Sequence, residues 1–101
     1  MDRELPLPDE AAEDQEALEV ARIWVTRSDL LVSLNVGLYS EETGATETTA
    51  WGDILADTIK HLARAISLRY DLAPAQVEAE IMTRCTESLS GYDKDFTGGL
   101  K

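Results

Sequence analysis

The chain has one cysteine, Cys85, which excludes an intramolecular disulfide and any cysteine-based zinc cluster within one copy. Such thin cysteine usage fits a reducing compartment. No apolar run approaches the ~20 residues of a membrane-spanning helix. The first fifteen residues, MDRELPLPDEAAEDQ, lack the apolar segment of a secretory signal. A cytoplasmic location is therefore expected. Basic side chains are scarce as well: 9 Lys and Arg stand against 20 Asp and Glu, a net charge of -11. A surface of this sign repels phosphate backbones and anionic lipid, so neither a nucleic-acid nor a membrane partner is expected. The sequence also has no Gly-rich phosphate loop, no paired-cysteine motif, no zincin helix motif and no nucleophile motif around any serine. No cofactor is implied, and no motif assigns an enzymatic reaction.

What is present is organised unevenly. Residues 1–19 carry eight acids and one base, while residues 20–70 carry six acids and five bases. The acidity thus gathers at the start, beside Pro6 and Pro8. The chain divides into an acidic, disordered tail over residues 1–15, one domain over residues 16–90, and a flexible tail over residues 91–101. The acidic tail is read as a solvating terminus, or alternatively as a docking segment for a basic protein partner.

A β-hairpin is expected next. Leu30, Val32, Leu34, Val36 and Leu38 alternate with Leu31, Ser33, Asn35, Gly37 and Tyr39, the period of a strand with one buried face. A first strand over about 17–26 and a turn at Arg27-Ser28 set Val25 opposite Leu30, Ile23 opposite Val32, and Ala21 opposite Leu34. These six residues form the expected core face. The other face carries Val20, Trp24 and Leu31, apolar residues where a solvated face is expected. Trp24 is read as an interface or tail-covered aromatic.

A polar loop over residues 40–49 follows, with Thr48 or Thr49 as helix cap. The run from Trp51 to Tyr70 is a helix with three faces. Trp51, Ile54, Leu55, Thr58, Ile59, Leu62, Ala65, Ile66 and Arg69 share the expected core arc. Asp53, Asp57, Lys60 and Arg64 share a charged arc, with His61 at its border. Gly52, Ala56, Ala63 and Ser67 line a third side, where small residues let another backbone approach. That side is read as a contact with the second helix of the same chain, or alternatively as a contact across a dimer. Asp71-Leu72-Ala73-Pro74 connects to the second helix, with Pro74 in its first turn. Val77, Ile81, Met82, Cys85 and Leu89 form its apolar face, and Cys85 is expected as a buried structural thiol. Gly91 ends it.

Asp53, Asp57 and His61 lie at i, i+4 and i+8, where neighbouring members can meet. Asp57 with His61 could orient an imidazole or bind a divalent ion. The plainer account is a charged solvent face. The ends of the stripe lie about 12 Å apart, so one ion cannot take all three, and no metal is expected.

Trp24, Ser33-Leu34, Trp51-Gly52, Leu55-Ala56-Asp57 and His61 carry a resemblance. Over roughly residues 5–90 the chain resembles the short bacterial proteins filed as domain of unknown function 5076. The most specific element is the Trp-Gly, Ala-Asp and His spacing from Trp51 to His61. The Thr-rich stretch before the helix is longer than the resemblance implies. No activity or site comes with the family; it implies a compact bacterial α/β module.

The expected fold is α+β: a two-layer β-β-α-α unit, with an antiparallel hairpin packed against two helices. The expected role is an interaction or assembly module acting as a homodimer, with Val20, Trp24, Leu31, Gly52 and Ala56 as interface candidates. The alternative is a small enzyme or metal-binding protein using Asp57 and His61. A third idea is a chaperone for a basic partner.

Overall fold

The computed structural model describes residues 3–37 and 44–91. Helix α1 spans Asp9–Glu13, strands β1 and β2 span Ala21–Val25 and Leu30–Leu34, and helices α2 and α3 span Gly44–Tyr70 and Pro74–Gly91. The fold is α+β, with an antiparallel hairpin followed by two long helices that pack on each other.

The hairpin register is the expected one. Ala21 faces Leu34, Ile23 faces Val32 and Val25 faces Leu30, with Arg22 against Ser33 and Trp24 against Leu31 between them. The turn closes on Thr26 and Asp29. The Thr26 N–H donates to the Asp29 carbonyl at 2.8 Å, and the Asp29 N–H donates to Thr26 Oγ1 at 3.0 Å. The threonine hydroxyl thus supplies the closure that Arg27-Ser28 lacks as turn residues. Beyond the strands, the Asn35 N–H reaches the Val20 carbonyl at 2.9 Å. The ladder then ends before Gly37, whose φ of 101° only glycine adopts freely. Leu38 and Tyr39, expected in the same strand, lie outside the described residues. So do residues 40–43 of the expected loop and residues 92–101 of the expected C-terminal tail.

Helix α2 begins at Gly44, earlier than the expected caps Thr48 and Thr49. Its first turn carries Glu47, a negative charge where the helix dipole favours one. The end of α2 is closed by a reversal at Asp71, which takes a left-handed φ of 58°. The Leu72 N–H donates to the Ser67 carbonyl at 3.1 Å, the 6→1 bond of a Schellman cap. Ser67 Oγ donates in turn to the Leu72 carbonyl. Pro74 opens α3 where a missing N–H costs nothing, and the Val77 N–H bonds the Ala73 carbonyl at 3.1 Å.

The α2–α3 contact is centred on small side chains. Ala63 is only 3% exposed, and Ser67 and Val77 are the other buried residues among those described. Ile59 and Ile66 of α2, and Ile81 and Ser88 of α3, are half-buried at its margin. Lys60 Nζ bridges to Glu78 Oε1 at 3.4 Å across the two helices. The small-residue arc is therefore what receives α3, at its Ala63–Ser67 end. The expected core stripe sits about 100° away around α2 and is only partly covered. Trp51 and Ile54 are half-buried, but Leu55 and Leu62 remain 57% and 46% exposed, and Thr58, Ala65 and Arg69 are exposed too.

Candidate functional site

Neither face of the hairpin is covered as a core face would be. On the face expected to be core, Ile23 is 64% exposed, Val25 80% and Leu34 55%, and Leu30 and Val36 are exposed as well. Among the described residues of that face, Ala21 and Val32 alone are half-buried. On the face expected to be outward, Val20 and Trp24 are half-buried and Leu31 is exposed. The N-terminal segment accounts for part of this. Arg22, on the Trp24 face, pairs with Glu4 at 2.9 Å and with Glu19 at 2.9 Å. The hydrogen bond and charge of Glu19, then the charge of Glu4, hold the Arg22 guanidinium above its ordinary value. Residues 3–7 accordingly share a cleft with β1 and Trp24. The segment expected as a disordered tail also includes α1, which buries no side chain.

Among the described residues, no large side chain is fully buried. A chain of about 100 residues ordinarily encloses a real core. Here the strand face at Ile23, Val25, Leu30 and Leu34 and the α2 stripe at Leu55 and Leu62 are two open apolar surfaces. Scattered exposed leucines need no explanation, but contiguous ones mark an interaction surface.

The remaining interface candidates separate. Gly52 and Ala56 share the arc of Ala63 and Ser67 but are exposed, and a methyl group placed on Gly52 would meet nothing within 4 Å. Helix α3 thus covers one end of the arc and leaves the other open. Met82, Cys85 and Leu89 are exposed, because α3 turns only its Val77, Ile81 and Ser88 side toward α2. Cys85 is therefore not the buried thiol expected of it.

A polar device that the sequence did not single out joins the two halves. Glu47 Oε2 accepts from the Gly37 N–H at 2.8 Å and from Trp51 Nε1 at 3.1 Å. One carboxylate oxygen thus ties the exit of the hairpin to the first turns of α2. The Glu47-to-Trp51 spacing of i, i+4 was the available signal. Replacing Glu47 with alanine leaves two partly buried donors unpaired and should cost about 1–3 kcal/mol. Glu47→Gln keeps an acceptor oxygen and should lose less than half as much. Urea midpoints of the two variants check this, and equal losses would show that charge rather than hydrogen bonding matters there.

The polar candidates come together only in part. His61 Nε2 lies 3.3 Å from Asp57 Oδ2, and both side chains are largely exposed. Asp53 joins neither. The clefts beside β1 and on α3 are not lined by any of the three. Among the described residues, no group of three or more His, Cys, Asp or Glu is placed to hold a metal ion. Two ligands at i, i+4 fall short of the four that a tight site takes. Calorimetric titration with zinc, nickel and manganese should show no sub-micromolar binding. Such binding, lost in His61→Ala, would put the enzyme or metal-binding alternative ahead of the assembly reading. No helix among the described residues is long and apolar enough to cross a membrane.

The fold has a counterpart among solved structures. A chain from the photosynthetic bacterium Rhodopseudomonas palustrus, provisionally named a pyruvate dehydrogenase, matches with a TM-score of 0.68 at 20% identity. The match covers 93% of this chain and 90% of that one. At this identity it shows a shared fold and transfers no chemistry. No curated protein is significantly similar. The Trp51–His61 pattern and the strand pattern before it lie inside a family match that runs from residue 4 to residue 91, so the chain belongs to the family described as a domain of unknown function (DUF5076).

Proposed function

We propose that this protein is a homodimeric assembly module of the bacterial cytoplasm, with no catalytic centre of its own. One observation carries the reading. The single chain leaves its strand face and its α2 stripe open while burying no large side chain among the described residues. A second copy can cover both surfaces. Ile23, Val25, Leu30, Leu34, Val36, Leu55 and Leu62 are all exposed in the single chain, and a standard interface covers ~800 Å² on each partner. Val20, Trp24 and Leu31 lie on the opposite face of the ribbon, and Gly52 and Ala56 on the open end of the small-residue arc, so these candidates would serve as secondary contacts outside the central patch. Residues 16–90 are the assembling unit. The acidic stretch before them would attract a basic protein and hold off nucleic acid and membranes.

Sedimentation at micromolar concentration tests the proposal. A dimer is expected. A clean monomer would overturn it.

A further inference from the structure

The proposed homodimer leaves open which surface joins first, and the backbone of the hairpin narrows that choice. The Thr26 N–H bonds Asp29, and the Asn35 N–H bonds Val20. In an antiparallel ladder, hydrogen-bonded pairs alternate with non-bonded ones. Counting inward from both ends, Trp24 with Leu31 and Arg22 with Ser33 are therefore the bonded pairs. Ala21 with Leu34, Ile23 with Val32 and Val25 with Leu30 are the non-bonded ones. The N–H and C=O groups of Leu30, Val32 and Leu34 then point away from β1, along an edge of β2 that no described strand pairs.

That edge lacks the usual protection. From Leu30 to Gly37 there is no charged residue and no proline, the two commonest guards against edge pairing. The β1 edge differs. Strand β1 holds Arg22, is followed by Arg27, and shares a cleft with residues 3–7, which Glu4 ties to Arg22. A two-stranded ribbon is also below the three strands that usually stand alone.

We infer that β2 is the joint of the dimer. Its outer edge pairs antiparallel with β2 of a second copy, with Val32 facing Val32 of the partner subunit and Leu30 facing Leu34 of the partner subunit. This register places all three outward backbone pairs in hydrogen-bonded positions. The two-fold axis stands perpendicular to the sheet, so the Ile23, Val25, Leu30 and Leu34 faces of both copies fall on one side. The product is a four-stranded sheet with one continuous apolar face, which the exposed α2 stripes are available to cover. This inference rests on the assembly reading and adds its geometry.

Cysteine scanning in a Cys85→Ser background tests the register. Val32→Cys would place the two Cα atoms about 5.5 Å apart, within disulfide reach. Ser33→Cys would place them about 8 Å apart, beyond it. Mild oxidation should therefore link most Val32→Cys chains and few Ser33→Cys chains. Val32→Pro removes only the edge-facing N–H and breaks no bond to β1. It should weaken the dimer at least 100-fold while far-UV circular dichroism stays unchanged. If Val32→Pro unfolds the chain, the cysteine pair decides. Equal linking of both cysteines, or none while the wild type sediments as a dimer, overturns the β2 joint and leaves the assembly reading to another surface. A monomeric wild type overturns both.

Discussion

Replacing Ala63 with leucine should lower the thermal midpoint on the order of 10 °C. Ala63 sits on the side of α2 that α3 covers, with its side chain almost fully enclosed. Leucine adds three carbons there, and a site so enclosed cannot admit them unless the helices shift. Overpacking of this kind costs typically about 1–3 kcal/mol, and a domain of this size moves roughly 4–8 °C per kcal/mol. Ala56→Leu is the control. It makes the same chemical change on the same arc, two turns earlier, at an exposed position. It should stay within about 0.5 kcal/mol of wild type if no second chain covers it. An Ala56→Leu effect as large as that of Ala63→Leu would place the open end of the arc inside the dimer. Equal, negligible effects at both positions would show that α2 and α3 do not meet at Ala63.

The contrast within this arc shows what the sequence discloses. Gly52, Ala56, Ala63 and Ser67 are equivalent by spacing, and their spacing alone predicts a close helix contact. Which end is used depends on the direction α3 takes after the Asp71 reversal, and no local pattern carries that. The hairpin register was legible for a different reason. Alternation fixes the face of every residue once the turn length is known, and the turn at Arg27-Ser28 leaves little freedom. The covering of each face was not legible, because it depends on what lies opposite. The strand side at Ile23 and Val25 has the pattern of a core face and stays open in the single chain. The start of α2 was missed because Gly44, Thr46, Thr48 and Thr49 are poor helix formers, against only Ala45 and Glu47 that favour helix. The Glu47 carboxylate, reaching Gly37 and Trp51, supports helix there. Cys85 shares the apolar arc of α3 by period, yet the covered side is centred on Val77, Ile81 and Ser88, which leaves Cys85 exposed at its border.

The second large effect should come from the α2 stripe, and it separates a solvated surface from a covered one. Leu62 is about half exposed in the single chain, and Leu55 rather more. If water is all that meets them, truncation removes few contacts. Leu62→Ala should then cost less than about 1 kcal/mol, near the range of surface changes. If a second copy covers them, each leucine is a core residue of the dimer, and Leu62→Ala should cost about 2–5 kcal/mol per chain. The second outcome is expected. Mass action supplies an independent check, since a dimer that dissociates on unfolding melts at a temperature that depends on its concentration. Each tenfold increase in protein adds about 1.4 kcal/mol per dimer, and a unit of two such chains shifts roughly 2–4 °C per kcal/mol. The wild-type midpoint should therefore climb by several degrees per decade of concentration. A Leu55→Ser, Leu62→Ser double variant should melt much lower, with no such climb. A flat wild-type curve together with a harmless Leu62→Ala would mean that the stripe is solvated, and the assembly reading would lose the surface it depends on most.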